Sequence, residues 1–504
     1  MSTDDPTRPT GTAAGAAVLL ASNRGPVSYA FGAHGELTAR RGGGGLVSGL
    51  SAIGPEVDAV WVCAALSDAD RAAARRSGGE LDAADTGGRR VHMLGLDPRT
   101  QHEAYNDIAN SVLWFAHHML WQTPLEPAFG PEFRARWASF ESYNRAFAEA
   151  LAAQAAQGAA VLVQDYHLVL VPGMLRALRP DLRIAHFSHT PWAPLDYYRL
   201  LPDDVAEQVL RGILGADHAG FLTRRWADAF TACADALVGG TGRTEVAVHG
   251  LGADADFLRS RAGQADVDER IAALREEIGG EGRRTIVRVD RTELSKNIVR
   301  GLHAYRRLLT DRPDWRGRVV HLAFAYPSRQ DLEVYRAYTA EVERVAQEIN
   351  DAFGTAEWTP VLLKVDDDFP RSLAAYRLAD VALVNPIRDG MNLVAKEVPV
   401  VSDAGVALVL SREAGAYEEL GADAVVVNPY DVSATAEALH TALTQDAETR
   451  AARTKRLAEA ATALPPGRWF MEQLEALGRA YGRRGRTLSG VPSVLRCSSS
   501  CTVS

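Results

Sequence analysis

Lysine is nearly missing from this chain: four residues, Lys296, Lys364, Lys396 and Lys455, stand among 55 basic ones. Arginine serves almost everywhere else, so each lysine raises the question of why arginine would not do, and Lys296 and Lys396 fall inside the motifs described below. Cysteine is equally scarce. Cys63 and Cys233 lie in apolar stretches, and Cys497 and Cys501 in a Ser-rich tail, CSSSC. That leaves no disulfide framework and no zinc spacing, and it suits a reducing compartment. Long apolar runs are lacking too. The Ala-rich segment leading to Val18-Leu19-Leu20 is short and follows Asp4 and Asp5 rather than a basic region, so neither anchor nor signal peptide is expected. Positive charge is in deficit, with a formal net charge of −9, which argues against nucleic acid as a partner but leaves room for local phosphate pockets. The expected setting is cytoplasmic, with no membrane partner.

What is present is length and alternation. At 504 residues the chain exceeds what one hydrophobic core usually supports, so two domains are expected. Strand-like apolar runs alternate with amphipathic helical segments, the signature of an α/β protein. The first half offers strands near 17–22, 59–63, 160–164, 183–188, 220–223 and 245–249, with clear helices at 134–157 and 204–214. The second half repeats the pattern at 285–290, 319–325, 361–365, 381–385, 406–410 and 424–427. Each half therefore carries enough strands for its own doubly wound parallel sheet, and ligands bind beyond the carboxyl ends of such strands. The domains expected are 17–257 and 258–465, followed by a helix at 466–484 and flanked by disordered tails at 1–16 and 485–504.

Four segments carry chemistry. Arg388-Asp389-Gly390-Met391-Asn392-Leu393-Val394-Ala395-Lys396-Glu397 follows a strand and opens a helix. Free N–H groups at a helix start, backed by the helix dipole, form an anion site. Gly390 would let the backbone approach a phosphate, Asp389 would accept from sugar hydroxyls, and Glu397 would grip a ribose diol; the plainer alternative is a solvated helix cap. In Arg291-Thr292-Glu293-Leu294-Ser295-Lys296-Asn297, also at a strand end, Arg291 and Lys296 can converge on a diphosphate, one as a fork and one as a point charge. Ser22-Asn23-Arg24-Gly25-Pro26 is followed by Arg41-Gly42-Gly43-Gly44-Gly45-Leu46, a phosphate-contacting loop or a mere linker. It fails as a dinucleotide fingerprint, since Val47 takes the third glycine place. Finally, Asp165-Tyr166-His167 and Ser188-His189-Thr190 end two strands of the first half. No HExxH pattern and no G-x-S-x-G elbow accompanies them, so neither a metal site nor a serine triad is expected.

Seven segments, SNRGP, YNDIANSVLW, QDYHL, FSHTPW, RTELSKN, RDGMNLVAKE and VNPYD, occur in one order along the chain. Together they resemble the retaining trehalose-6-phosphate synthases of glycosyltransferase family 20, over about residues 17–481. The resemblance implies a GT-B fold, with two facing Rossmann-like domains and a cleft between them. It implies transfer of glucose from a nucleoside-diphosphate glucose to glucose 6-phosphate, giving α,α-trehalose 6-phosphate, without cofactor or metal. It assigns Arg291 and Lys296 to the diphosphate. Asp389 and the amides of Gly390, Met391, Asn392, Leu393 and Val394 fall to the donor glucose, and Glu397 to the ribose. His189 would lie by the transferred sugar and Asp165 on acceptor hydroxyls, with Gly44 and Gly45 in the donor loop. Arg24, Tyr105 and Trp114 match acceptor-phosphate contacts. The final helix is expected to cross back to the first domain. The partners implied are small-molecule substrates, and a homo-oligomer is compatible with them.

Two departures stand out. A fourth phosphate arginine, expected on the helix after Pro327-Ser328-Arg329, aligns with Thr339, and Arg336 one turn earlier is the candidate substitute. The segment Val62-Cys63-Ala64-Ala65-Leu66 replaces a usual Trp-Ser-Gly. Residues 364–369, ending in Phe369, are the expected base pocket. Their aspartates could accept from a guanine edge, so GDP-glucose stands beside UDP-glucose. Two rival functions share the same fold: a pseudo-glycosyltransferase joining an activated cyclitol to an aminocyclitol phosphate, and a non-catalytic regulator that binds ligand without turnover.

Overall fold

The computed structural model describes residues 15–42, 58–280 and 282–482. Gly44, Gly45, both tail cysteines and the tail expected from residue 485 lie outside them. The first half contributes β1 (Ala16–Ala21), a hairpin of β2 (Val27–Phe31) and β3 (Leu37–Arg41), then β4 (Ala59–Ala64), β5 (Arg90–Leu94), β6 (Ala155–Gln164), β7 (Arg183–Ser188), β8 (His218–Phe221) and β9 (Glu245–Val248). Apart from the hairpin these strands form one parallel sheet in the order β5-β4-β1-β6-β7-β8-β9. The second half contributes β10 (Arg284–Arg291), β11 (Val319–Tyr326), β12 (Val361–Lys364), β13 (Val381–Val384), β14 (Ala407–Ser411) and β15 (Val425–Val427), in the order β12-β11-β10-β13-β14-β15. Unbroken apolar runs such as Ala-Val-Leu-Val at the end of β6 are buried throughout, as strands covered by helices on both faces must be. This is the two-domain GT-B arrangement.

Each sheet reverses its strand order once, between β1 and β6 in the first half and between β10 and β13 in the second. A reversal opens a crevice at the carboxyl ends of the two strands that diverge. Arg24 follows β1, Asp165 follows β6, Arg291 ends β10 and Asp389 lies beyond β13. The candidate residues thus sit at the switch points of both sheets.

Several local expectations are revised. The edge strand β5 and the β2–β3 hairpin were not singled out by periodicity; β5 is short and alternates in burial, as one-sided edge strands do. The helix expected to reach residue 157 ends at Gln154, and β6 starts at once. Gly158, at φ 68°, accommodates the turn, and the β1–β6 register shifts there from Ala16 opposite Ala155 to Val18 opposite Ala160. Ala16, placed with the disordered tail, is the first residue of β1.

The chain passes between the halves twice, and the two passages lie against each other. Gly252 N–H donates to the Leu464 carbonyl (2.7 Å) and Ala253 N–H to that of Ala461 (2.8 Å). A Cβ on Gly252 would fall 2.6 Å from the Leu464 oxygen, so only glycine permits this approach. Lys396 is buried, and its Nζ donates to the Leu251 carbonyl (2.8 Å) and pairs with Glu419 (2.7 Å). The final helix, Pro466–Gly482, lies on β6, β7 and β8 of the first sheet, with Trp469 edge-on to Phe187 at 5.0 Å. Among the described residues no helix is long and apolar enough to cross a membrane.

Candidate functional site

On the first-half side, Ser22 Oγ accepts from Trp61 Nε1 (2.7 Å) and donates to the Arg24 carbonyl (2.7 Å). Tyr143 donates to Asn23 Oδ1. These bonds fix the turn that presents exposed Arg24. The departing segment at Cys63 packs beneath it: a Cβ on Gly25 would meet Cys63 Sγ at 2.4 Å. Tyr105 and Asn110 ride on a π-helix, Glu103–Leu113, with Trp114 directly after it. Such wide helices are rare and gather at functional sites.

Tyr166 donates to Asn110 Oδ1 (2.8 Å), and His167 stacks on Tyr105 at 5.4 Å. Burial, with Arg329 and Arg24 nearby, pushes His167 down to about 3, so its ring is neutral. Asp165 adopts φ 73°, costly for a non-glycine residue, and its Oδ1 accepts the His189 amide (3.2 Å). Burial raises the Asp165 carboxyl and depresses the His189 imidazole. Gln164 Oε1 lies 3.0 Å from His189 Nε2. Four buried polar nitrogens around this cluster, Asn110 Nδ2, Trp114 Nε1, Gln164 Nε2 and His167 Nε2, have no partner among the described residues. Buried polar groups are nearly always bonded, so a cluster of unpaired nitrogens marks a place for a polar ligand.

The second cation of this cluster is Arg329, which sequence reasoning passed over. Its guanidinium lies 4.0 Å over the Trp114 ring. It donates to Tyr166 and Tyr335 hydroxyls, each at 3.2 Å, and pairs with Glu293 at 2.9 Å. Tyr166 and Trp114 belong to the first half, so this arginine reaches across the cleft. Arg336 does not join it: exposed, it donates to the Gln330 carbonyl (2.7 Å). Thr339 Oγ1 donates to the Tyr335 carbonyl (2.9 Å) and accepts from Gln330 Nε2 (3.3 Å). The cation that reaches Trp114 comes instead from the Pro-Ser-Arg turn, where Arg329 sits at φ 46°, before the helix Glu333–Phe353.

On the second-half side, fully buried Arg288 pairs with Asp290 (2.9 Å), donates to the Lys296 carbonyl (2.9 Å) and bonds Asn385. It ties β10 to the turn carrying Lys296. Lys296 Nζ lies 2.5 Å from Asp389. Burial disfavours its charge, but Asp389 and Asp290 outweigh that and raise its pKa. Arg291 is half-exposed, with Glu293 at 3.2 Å.

Asn392, at φ 72°, caps the helix Leu393–Val401 by accepting from the Ala395 amide and donates to Asp389 (3.0 Å). Among the described residues no acceptor meets the amides of Gly390, Met391, Asn392, Leu393 or Val394, five donors at the positive end of a helix. The Met391 side chain is core-buried, so only its backbone faces the crevice. Gly390 also has a role beyond the one expected: a Cβ there would fall 1.9 Å from the His189 carbonyl oxygen. Its smallness lets the two halves touch. Arg388 donates to the Trp192 carbonyl (2.7 Å) and Trp226 Nε1 to that of Gly390 (2.9 Å), closing the same seam.

Phe369, partly exposed, stacks on Phe257 at 6.2 Å. Glu397 is partly buried and accepts from the Tyr376 hydroxyl at 3.5 Å, and burial lifts its carboxyl from 4.5 to about 7. A raised folded-state pKa makes the folded protein hold a proton the unfolded chain has lost. Stability is then greatest below 4.5, falls as pH rises toward 7 and stays lower above. Glu397→Gln should therefore raise the unfolding temperature at pH 8, by about 1–3 °C, and leave it unchanged at pH 4.5. Thermal melts at both pH values check this.

The family model for glycosyltransferase family 20 matches residues 17–479. A trehalose-6-phosphate synthase of Mycobacterium sp. (strain JLS) is 33% identical, over 91% of this chain and 95% of its own. A bifunctional trehalose-6-phosphate synthase/phosphatase of Thermoproteus tenax is 32% identical over 78% of this chain, which spans 55% of that longer protein. Among solved structures, an α,α-trehalose-phosphate synthase (UDP-forming) from Burkholderia vietnamiensis superposes with a TM-score of 0.78 at 28% identity. That match covers 92% of this chain and 99% of the other.

Proposed function

Because the chain belongs to glycosyltransferase family 20, we propose that it transfers glucose from UDP-glucose to glucose 6-phosphate, forming α,α-trehalose 6-phosphate with retention at the donor carbon. The observation that carries this reading is the pairing of two anion sites across one cleft. Five unpaired amides with Lys296 and Arg291 form one, and Arg24 and Arg329 with unpaired Trp114, His167 and Asn110 nitrogens form the other. The first suits a sugar diphosphate; the second suits a sugar phosphate, recognised by charge-assisted bonds.

Asp389 is held by Lys296 and Asn392, and Asp165 Oδ1 accepts the His189 amide. That engagement favours same-face attack over the covalent nucleophile of retaining glycosidases. In the proposed step the bond from the anomeric carbon to the β-phosphate oxygen breaks as the acceptor's 1-hydroxyl oxygen bonds to that carbon, and the hydroxyl proton passes to the departing phosphate. Lys296, Arg291 and the amides stabilise the charge gathering there, so no metal is invoked.

For the base, Asp366 is paired with Arg371 (2.8 Å), and Asp368 with Arg270 (2.8 Å) while capping a helix through the Arg371 amide. Two of the three aspartates that would read guanine are already engaged, which supports UDP over GDP. The test is an assay of UDP-, GDP- and ADP-glucose with glucose 6-phosphate, with product identified by mass and anomeric configuration. Absence of trehalose 6-phosphate with every donor overturns the reading. In the same assay Arg336→Ala should leave KM for glucose 6-phosphate within about twofold, as expected for an exposed surface cation.

A further inference from the structure

One carboxylate touches both anion sites. Glu293 lies between Arg291 and Lys296 in the sequence, and its side chain is fully buried. Its Oε1 lies 3.2 Å from Arg291 Nε and accepts from Ser328 Oγ at 3.0 Å; its Oε2 lies 2.9 Å from an Arg329 terminal nitrogen. Arg291 faces the donor side, whereas Arg329 crosses to Trp114 and Tyr166 on the acceptor side. Resting on the function proposed above, we infer that Glu293 is a positioning residue coupling the two substrate subsites, so that occupation of one strengthens binding at the other.

The physical basis is a shared charge. Burial alone would raise the Glu293 carboxyl, yet Arg291, Arg329 and Lys296 together hold it down at about 2, so it stays ionised throughout the working range. Glu293 is the sole ion-pair partner of half-exposed Arg291 among the described residues. A diphosphate that draws Arg291 toward itself leaves the carboxylate to Arg329 and Ser328. Arg329 is then held more firmly in its cross-cleft position, which its left-handed backbone, φ 46°, does not favour by itself. An acceptor phosphate then meets an arginine already in place and loses less to ordering it. Reciprocity requires the acceptor to help the donor by the same factor.

The experiment measures UDP affinity by calorimetry with and without saturating glucose 6-phosphate; the ratio is the coupling factor. The wild-type chain should show about tenfold reinforcement, within the usual range for coupled sites. Glu293→Gln keeps the shape and removes the charge, and its ratio should fall to within twofold of unity, with Glu293→Asp restoring part of it. Should Glu293→Gln not fold, Ser328→Ala loosens the same carboxylate and should give an intermediate ratio. A folded Glu293→Gln, or failing that Ser328→Ala, with the wild-type ratio overturns the inference. So does a wild-type chain that binds both ligands without reinforcement. A wild-type chain that binds neither UDP nor glucose 6-phosphate instead removes the functional reading beneath it.

Discussion

Arg329→Ala should lower kcat/KM for glucose 6-phosphate by at least about 100-fold, while UDP alone still binds. A single charge-assisted hydrogen bond is worth about 1.5–3 kcal/mol, and about 1.4 kcal/mol is a factor of ten. Arg329 offers a fork rather than one bond, and it also fills the space over Trp114 at 4.0 Å. Alanine additionally deprives buried Glu293 of its 2.9 Å partner, leaving it only Arg291 and Ser328, so part of the loss would come from a less well paired buried carboxylate rather than from the missing phosphate contact. Arg329→Lys separates the two. It keeps a charge for Glu293 but cannot bond in a planar fork or stack on the indole, so a loss of about tenfold is expected. Steady-state kinetics on both variants, with acceptor and donor varied in turn, decide the matter. An unchanged acceptor KM in Arg329→Ala would remove this residue from the acceptor site.

Gly390→Ala should reduce kcat by about 100-fold without unfolding the protein. The added methyl would meet the His189 carbonyl oxygen at 1.9 Å and its carbon at 3.0 Å. Both are backbone atoms, so no side chain can swing aside. Either the loop withdraws or the halves part by more than an ångström, and misplacements of that size are costly when two reactants must be aligned. Gly390 belongs to neither sheet, so circular dichroism and the unfolding temperature should stay close to wild type. Turnover within threefold of wild type would show that contact at this seam is dispensable.

Much of this arrangement was legible because strand ends are legible. Apolar runs located β10 and β13, and once those ends were known, Arg291, Lys296 and Asp389 followed as residues at a common crevice. Arg329 escaped because the phosphate arginine was expected on the helix after Pro327-Ser328-Arg329, which drew attention away from the turn itself. Its partners Trp114, Tyr166 and Glu293 are remote in sequence or carry the wrong sign to suggest a phosphate site. The π-helix bearing Tyr105 has no local signature, since its extra residue per turn is set by packing. Lysine scarcity pointed two ways at once. Lys296 stands in the site, but Lys396, in a motif of equal prominence, is buried against the Leu251 carbonyl and Glu419 and serves the interdomain joint. Gly390 drew attention for its position, but its approach to the His189 carbonyl could not be read, because only the assembled halves bring that carbonyl to it.

The paired passages at Gly252 and Leu464 act as the spine of a book. Two covers stitched along one line can swing but cannot slide past each other or twist freely, so any opening of the halves should be a hinge about this line that returns them to the same register. Probes placed on either side of the mouth should change separation as ligands come and go, while probes flanking the spine keep theirs. Variation at the spine instead would mean that the covers are loose.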